Sequence, residues 1–149
     1  MKHFALPCIV MMTLVLGVLA ADRPAMADGA VALAQPADVA KAGVAIGISN
    51  NFENKNAAHE AALEKCRANP DAPAETKSLC KVVANLKDQC AAVAIDKKAG
   101  TLGFGWAIGI DKETAQTVAM INCKATAGRG RQAHCVHSIS FCDGTASKP

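Results

Sequence analysis

Several residues in this chain have types and spacings that could do chemistry. His134 and His137 have the look of a metal pair. Cys135–Phe141 reads as a strand, however, and residues three apart on a strand point to opposite faces, so the two cannot share an ion. His137 falls on the apolar face of that strand. It is either a core histidine with a hydrogen-bond partner or a functional departure. His59 sits in mid-helix and is expected to be solvated. Glu60 and Glu64 have the i, i+4 helical spacing of a carboxylate pair, but Lys65 and Arg67 surround them, which reads as an exposed helix face. The Arg129-Gly130-Arg131 loop, with Lys124 and His134 near it, is either a basic loop at a helix end or a seat for an anion.

A cysteine nucleophile would need a thiolate and a nearby base. The chain has seven cysteines, and all but Cys8 have plausible disulfide partners. Trp106 is the only tryptophan and there is no tyrosine, so the aromatic platforms of a sugar or single-strand nucleic-acid binder are missing. No phosphate loop, H-E-x-x-H, G-x-S-x-G or C-x-x-C is present. The sequence therefore assigns no catalytic residue, metal ligand or cofactor. It leaves Trp106, Arg129, Arg131 and His137 as candidate binding residues.

The elements that position these residues begin after a leader. Lys2 and His3 precede an apolar run, Phe4–Ala21, and Ala25-Met26-Ala27 supplies the small residues of a cleavage site. Residues 1–27 thus read as a secretory signal peptide, with a cut after Ala20 as the alternative and Cys8 as part of its apolar run. Removing them from 149 residues leaves 122, enough for one domain spanning 28–149. The remaining six cysteines, an even set in an exported chain, read as disulfides. The formal charge of +3 falls to about +2 without the leader, too mild for nucleic acid or an anionic membrane surface. No other apolar segment is long enough to span a bilayer. The expected location is the periplasm or the extracellular medium.

The domain reads as two halves, about 28–89 and 90–149. Displaced by 62 positions, Ala30–Ile48 falls on Ala92–Ile110 with nine of nineteen residues identical. In the second half, Ala91–Ile95 and Phe104–Ile110 form a hairpin around a polar connection, Asp96–Gly103. Asp111 caps a helix reaching Cys123, and a strand covers Cys135–Phe141. In the first half, Ala30–Leu33 and Val44–Ser49 pair, Asn54 caps a helix to Cys66, and Cys80–Leu86 is a strand. This predicts an α+β fold: two ββα-β repeats forming a six-stranded, mostly antiparallel sheet, with two helices on one face. The correspondence of the halves selects one pairing of the cysteines. Cys66–Cys80 and Cys123–Cys135 each pin a helix to its own strand, and Cys90–Cys142 ties the halves together. The fold is then disulfide-stabilised.

Alternate strand residues divide the sheet into unlike faces. One carries Val31, Leu33, Ile46, Ile48, Val93 and Trp106, the other mainly Ala and Gly. Only the first has the volume for a core, so both helices, which offer small residues such as Ala58, Ala62, Ala115 and Ala119, are expected to lie on it. The flat Ala/Gly face is then either a covered or solvated surface or a docking surface for a protein partner or a second copy, making a homodimer.

Gly29-Ala30-Val31-Ala32-Leu33, the helix Ala58…Ala61-Ala62-Leu63…Cys66, Cys80-Lys81-Val82-Val83 and Cys90-Ala91-Ala92-Val93-Ala94 together resemble the bacterial domain of unknown function 4189. Gly103-Phe104-Gly105-Trp106, the second helix to Cys123, and Cys135 with Cys142 continue the likeness. The resemblance implies a small exported protein with paired cysteines and carries over no catalytic residue. The chain departs from the family pattern in its first hairpin, where Ala42-Gly43-Val44 stands in place of Phe104-Gly105-Trp106. These observations point to a non-enzymatic module that binds another protein, of the inhibitor or immunity type. The alternative is a small periplasmic hydrolase or thiol-redox protein using His137 or a labile cysteine.

Overall fold

A computed structural model describes residues 28–147. The expected leader over 1–27, with Cys8, lies outside the described residues.

The first half runs β1 (Asp28–Ala34), α1 (Val39–Ala42), β2 (Ala45–Phe52), α2 (Lys55–Arg67), α3 (Ala74–Lys77) and β3 (Lys81–Leu86). The second half follows with β4 (Cys90–Asp96), β5 (Phe104–Gly109), α4 (Lys112–Thr126) and β6 (Cys135–Cys142), with 3-10 turns at Gln132–His134 and Gly144–Ser147. Both long helices start where a side-chain acceptor meets the free amides of a first turn. Asn54 Oδ1 accepts from the Ala57 amide at 2.9 Å and Asp111 Oδ1 from the Thr114 amide at 2.7 Å. That amide, with the Thr114 hydroxyl, holds the Asp111 carboxyl below its ordinary value of 3.8.

The fold is α+β, but the six strands form two sheets rather than one. Their orders are β2-β1-β3 and β5-β4-β6, and every pair is antiparallel. The expected placement of the helices is also reversed. Helix α2 packs on Ala30, Ala32, Ala34 and Ala45 of the first sheet through Ala58, Ala62 and Cys66. Helix α4 packs on Ala92, Ala94 and Ala107 of the second through Ala115, Ala119 and Cys123. The bulky faces meet each other instead, joining Val31, Leu33, Ile48, Val93 and Phe104 in one shared layer. The molecule is a two-sheet sandwich with a helix on each outer side.

The reason is close approach. A Cβ on Gly47 would run into the Ala62 carbonyl and the Cys66 amide, and one on Gly105 into the Ala119 carbonyl and the Cys123 amide. Helices whose buried residues are all Ala and Cys settle closest where the strands carry Ala and Gly. The branched and aromatic residues then fill a layer about 10 Å thick between the sheets. The Ala/Gly faces are covered by the chain's own helices, so they present no surface for a second copy.

These contacts also fix which residues correspond between the halves. Ala32 faces Gly47 and Ala94 faces Gly105, so the displacement of 62 holds for β1 and β4 but not for β2 and β5. The first connection, which contains α1, is four residues longer between these paired positions. Val31 faces Ile48 and Val93 faces Trp106, so the counterpart of Trp106 is Ile48 rather than Val44.

The bridges join Cys66 to Cys80, Cys123 to Cys135 and Cys90 to Cys142. The first two pin a helix end to the next strand. Cys90 and Cys142 face each other across β4 and β6, so this bridge lies within the second sheet and does not tie the halves. Polar contacts at one end of the sandwich do that instead. Asn50 Nδ2 donates to the Cys142 carbonyl at 3.2 Å, the Asn51 amide to Asp143 Oδ1 at 2.7 Å, and the Gly144 amide to Asn51 Oδ1 at 2.9 Å. Among the described residues, no helix is long and apolar enough to cross a membrane.

Candidate functional site

The opposite end of the sandwich is open. There the β1–β2 connection, which includes α1, and the β4–β5 connection diverge, leaving a solvent-facing cleft of about 750 Å³ between the sheets. Its floor is the end of the shared apolar layer: Val44, Ile46, Val93, Ile95 and Phe104. At this end Val44, Ile46 and Ile95 are half-buried, while Val93 and Phe104 stay buried. Lys41, Lys97 and Lys98 stand exposed around the opening, with Asp71 and Asp96 also lining it.

Asp96 ends β4 and organises this rim. Its amide donates to the Gly103 carbonyl at 2.8 Å, closing the β4–β5 connection, and its Oδ1 accepts from the Lys98 amide at 3.1 Å. Arg131 clamps the carboxylate, Nε to Oδ2 and Nη2 to Oδ1, both at 2.7 Å. The Asp96 side chain is only 2% exposed. Burial alone would raise its pKa, but the Lys98 amide and the Arg131 guanidinium outweigh it. His134 adds to them, so the carboxyl titrates below its ordinary 3.8. The Asp96 charge is thus spent on Arg131, and the three lysines leave the rim net positive.

The residues singled out from the sequence do not assemble into one site. Arg131 already holds an anion, but it is Asp96 of the same chain, and Arg129 is exposed on the neighbouring loop. Trp106 belongs to the shared apolar layer, and its carbonyl accepts from Asn122 Nδ2 at 2.9 Å. His137 faces Ala94 on the helix side of β6 and is exposed, which corrects both its expected face and its reading as a core residue. Its counterpart Val82 packs under α2. His134 is exposed in a 3-10 turn, and His59 Nε2 lies 2.6 Å from Asn85 Oδ1. Glu60 and Glu64 are exposed on α2. Among the described residues, no three His, Cys, Asp or Glu side chains are grouped to hold a metal ion.

Sequence reasoning missed the cleft. Its signal was the Lys97-Lys98 pair in the β4–β5 connection, next to strand ends carrying Ile95 and Phe104. That signal has meaning only once the bulky faces are known to meet each other.

The comparisons with known proteins decide the family. The family model described as a domain of unknown function (DUF4189) matches residues 29–142. The chain belongs to this family. No curated protein and no solved structure matches it. The DUF4189 match begins in β1 and ends with β6, so it spans both sheets, both long helices and the cleft.

Proposed function

We propose that this DUF4189 protein is an exported, non-enzymatic binding domain that receives an apolar group in the cleft between its sheets. The observation that carries the reading is the cleft itself. Its volume is within the roughly 300–1,000 Å³ of small-molecule sites, and like them it pairs an apolar floor with a few charged groups. The bonding of all six cysteines of the domain speaks against thiol chemistry, and the placing of His59, His134 and His137 away from any grouped acid or base speaks against a hydrolase. Export rests on the leader expected over 1–27 and on the three bridges. Amino-terminal sequencing of protein recovered outside the cytoplasm should begin at Asp28.

The test of the binding reading is a titration of the 15N-labelled domain with 1-decanol, a neutral apolar probe. Saturable amide shifts at Val44, Ile46, Ile95 and Lys97–Gly103 are expected. Shifts scattered over the surface, or none, would count against it.

A second reading, recognition of a protein partner, is favoured by β6. It pairs only with β4 among the described strands, and Val136, Ile139 and Phe141 are each 38% exposed on it. An unpaired, partly apolar edge strand is a template on which a partner's extended segment can add a strand. The Phe141→Lys variant, outside the cleft lining, would abolish such an interaction and leave decanol binding at the cleft unchanged.

A further inference from the structure

We infer that the cleft selects an amphipathic anion, an alkyl chain ending in a negatively charged head. This deepens the proposed binding function and rests on the cleft being its site.

Three features of the cleft carry it. First, it opens between the two sheets at the end of their shared apolar layer. The walls are Val44 and Ile46 on one sheet and Ile95 and Phe104 on the other. Second, the floor offers an alkyl chain no side-chain donor or acceptor to satisfy, so the polar end of a ligand must remain at the mouth. Third, the mouth carries Lys41 on the first half and Lys97 and Lys98 on the second, so cations flank the opening from both sheets. The carboxylate that could neutralise them from within, Asp96, is engaged by Arg131. Asp71 is the remaining acidic group of the lining and leaves the lysines in excess.

The chemistry follows from the order of these layers. The chain enters the cleft and loses its contact with water, while its head stops where the lysines are. Lysine ammoniums on flexible stems attract a negative head as point charges, without the fork geometry that would demand a particular anion. They also raise the local concentration of anions before contact, an effect that salt screens. Affinity should therefore depend on chain length through the floor and on head charge through the rim, two separable contributions.

The experiment is calorimetric titration of the mature domain at pH 7.5 with monomeric dodecanoate, decanoate, 1-dodecanol and dodecyltrimethylammonium, with amide shifts locating each ligand. Dodecanoate should bind tightest, at least tenfold tighter than dodecanol, and the cationic amphiphile weakest. Each methylene removed should weaken binding about fourfold until the floor is no longer filled. The Lys41→Ala/Lys97→Ala/Lys98→Ala variant alters exposed side chains only. It should bring dodecanoate down to the affinity that the same variant shows for dodecanol. Dodecyl phosphate, which is also an anion, should bind at least as tightly as dodecanoate, and binding no tighter than dodecanol would overturn the anion assignment. If dodecanoate, dodecanol and the cation bind equally with shifts at Ile95 and Phe104, the cleft is a site but its selectivity for anions is refuted. If none of them shifts those residues, the inference and the cleft-binding reading fall together.

Discussion

The two ends of the sandwich are built from the same strands and behave as opposites. At the end where β1 begins and β6 finishes, hydrogen bonds run from one half to the other, through Asn50, Asn51 and Asp143. At the cleft end the side-chain bonds among the described residues stay within a half. Thr76 holds the Ala42 carbonyl, Thr126 holds the Phe104 carbonyl, and Arg131 holds Asp96. The open end is therefore tied within each half, and the two halves meet there through the shared apolar layer. A cleft between two sheets needs this division, because a polar lock at both ends would close it and one at neither would leave the sheets unregistered.

Removing the Cys90–Cys142 bridge with a double Cys→Ala substitution should break the locked end most severely. The bridge precedes the residues that cross between halves, and losing a native disulfide costs about 2–5 kcal/mol. Chemical denaturation should show that loss without any change in the amide positions of the cleft loops. Asp143→Ala comes next. Asp143 is fully buried, and its removal leaves the Asn51 amide without its acceptor, a cost of about 1–3 kcal/mol. Asp143→Asn, which keeps an oxygen in that place, should cost clearly less by the same measurement.

At the open end the effects are smaller and depend on pH. Because the folded-state pKa of Asp96 is depressed, the stability it contributes is present above the ordinary value of 3.8. That stability is lost as pH falls through the lowered folded value. Thermal melts of the native protein and of Arg131→Met should therefore differ near neutrality and converge in acid. Replacing the three rim lysines by alanine should change stability least, within about 0.5 kcal/mol in either direction, since they are exposed. A larger loss would make them structural and weaken their assignment to ligand binding.

How far the sequence discloses these ends depends on whether a signal is local. Asn54 and Asp111 mark the helix starts because capping is decided within four residues. The bridge partners follow from Cys66 and Cys123 standing at the ends of corresponding helices and Cys80 and Cys135 next to the following strands. The helix-bearing face was not legible, because both faces of each sheet are apolar and differ only in volume. Gly47 and Gly105 were the sign of close helix approach, but a displacement of 62 set Gly105 against Gly43 and hid their correspondence. His137 was placed on the wrong face because a β-bulge between it and Ile139 breaks the strand alternation, and such a bulge leaves no mark in the residue pattern. The cleft and the Asn51–Asp143 lock both depend on contacts between distant segments, which no local pattern encodes.

The contrast between a locked end and an open, ligand-receiving end can be tested in one hydrogen–deuterium exchange comparison, with and without saturating dodecanoate. The expected result is slowed exchange in the cleft loops, residues 39–44 and 97–103, with no change around Asn50, Asn51 and Asp143. Protection confined to the locked end, or spread evenly over both, would contradict it.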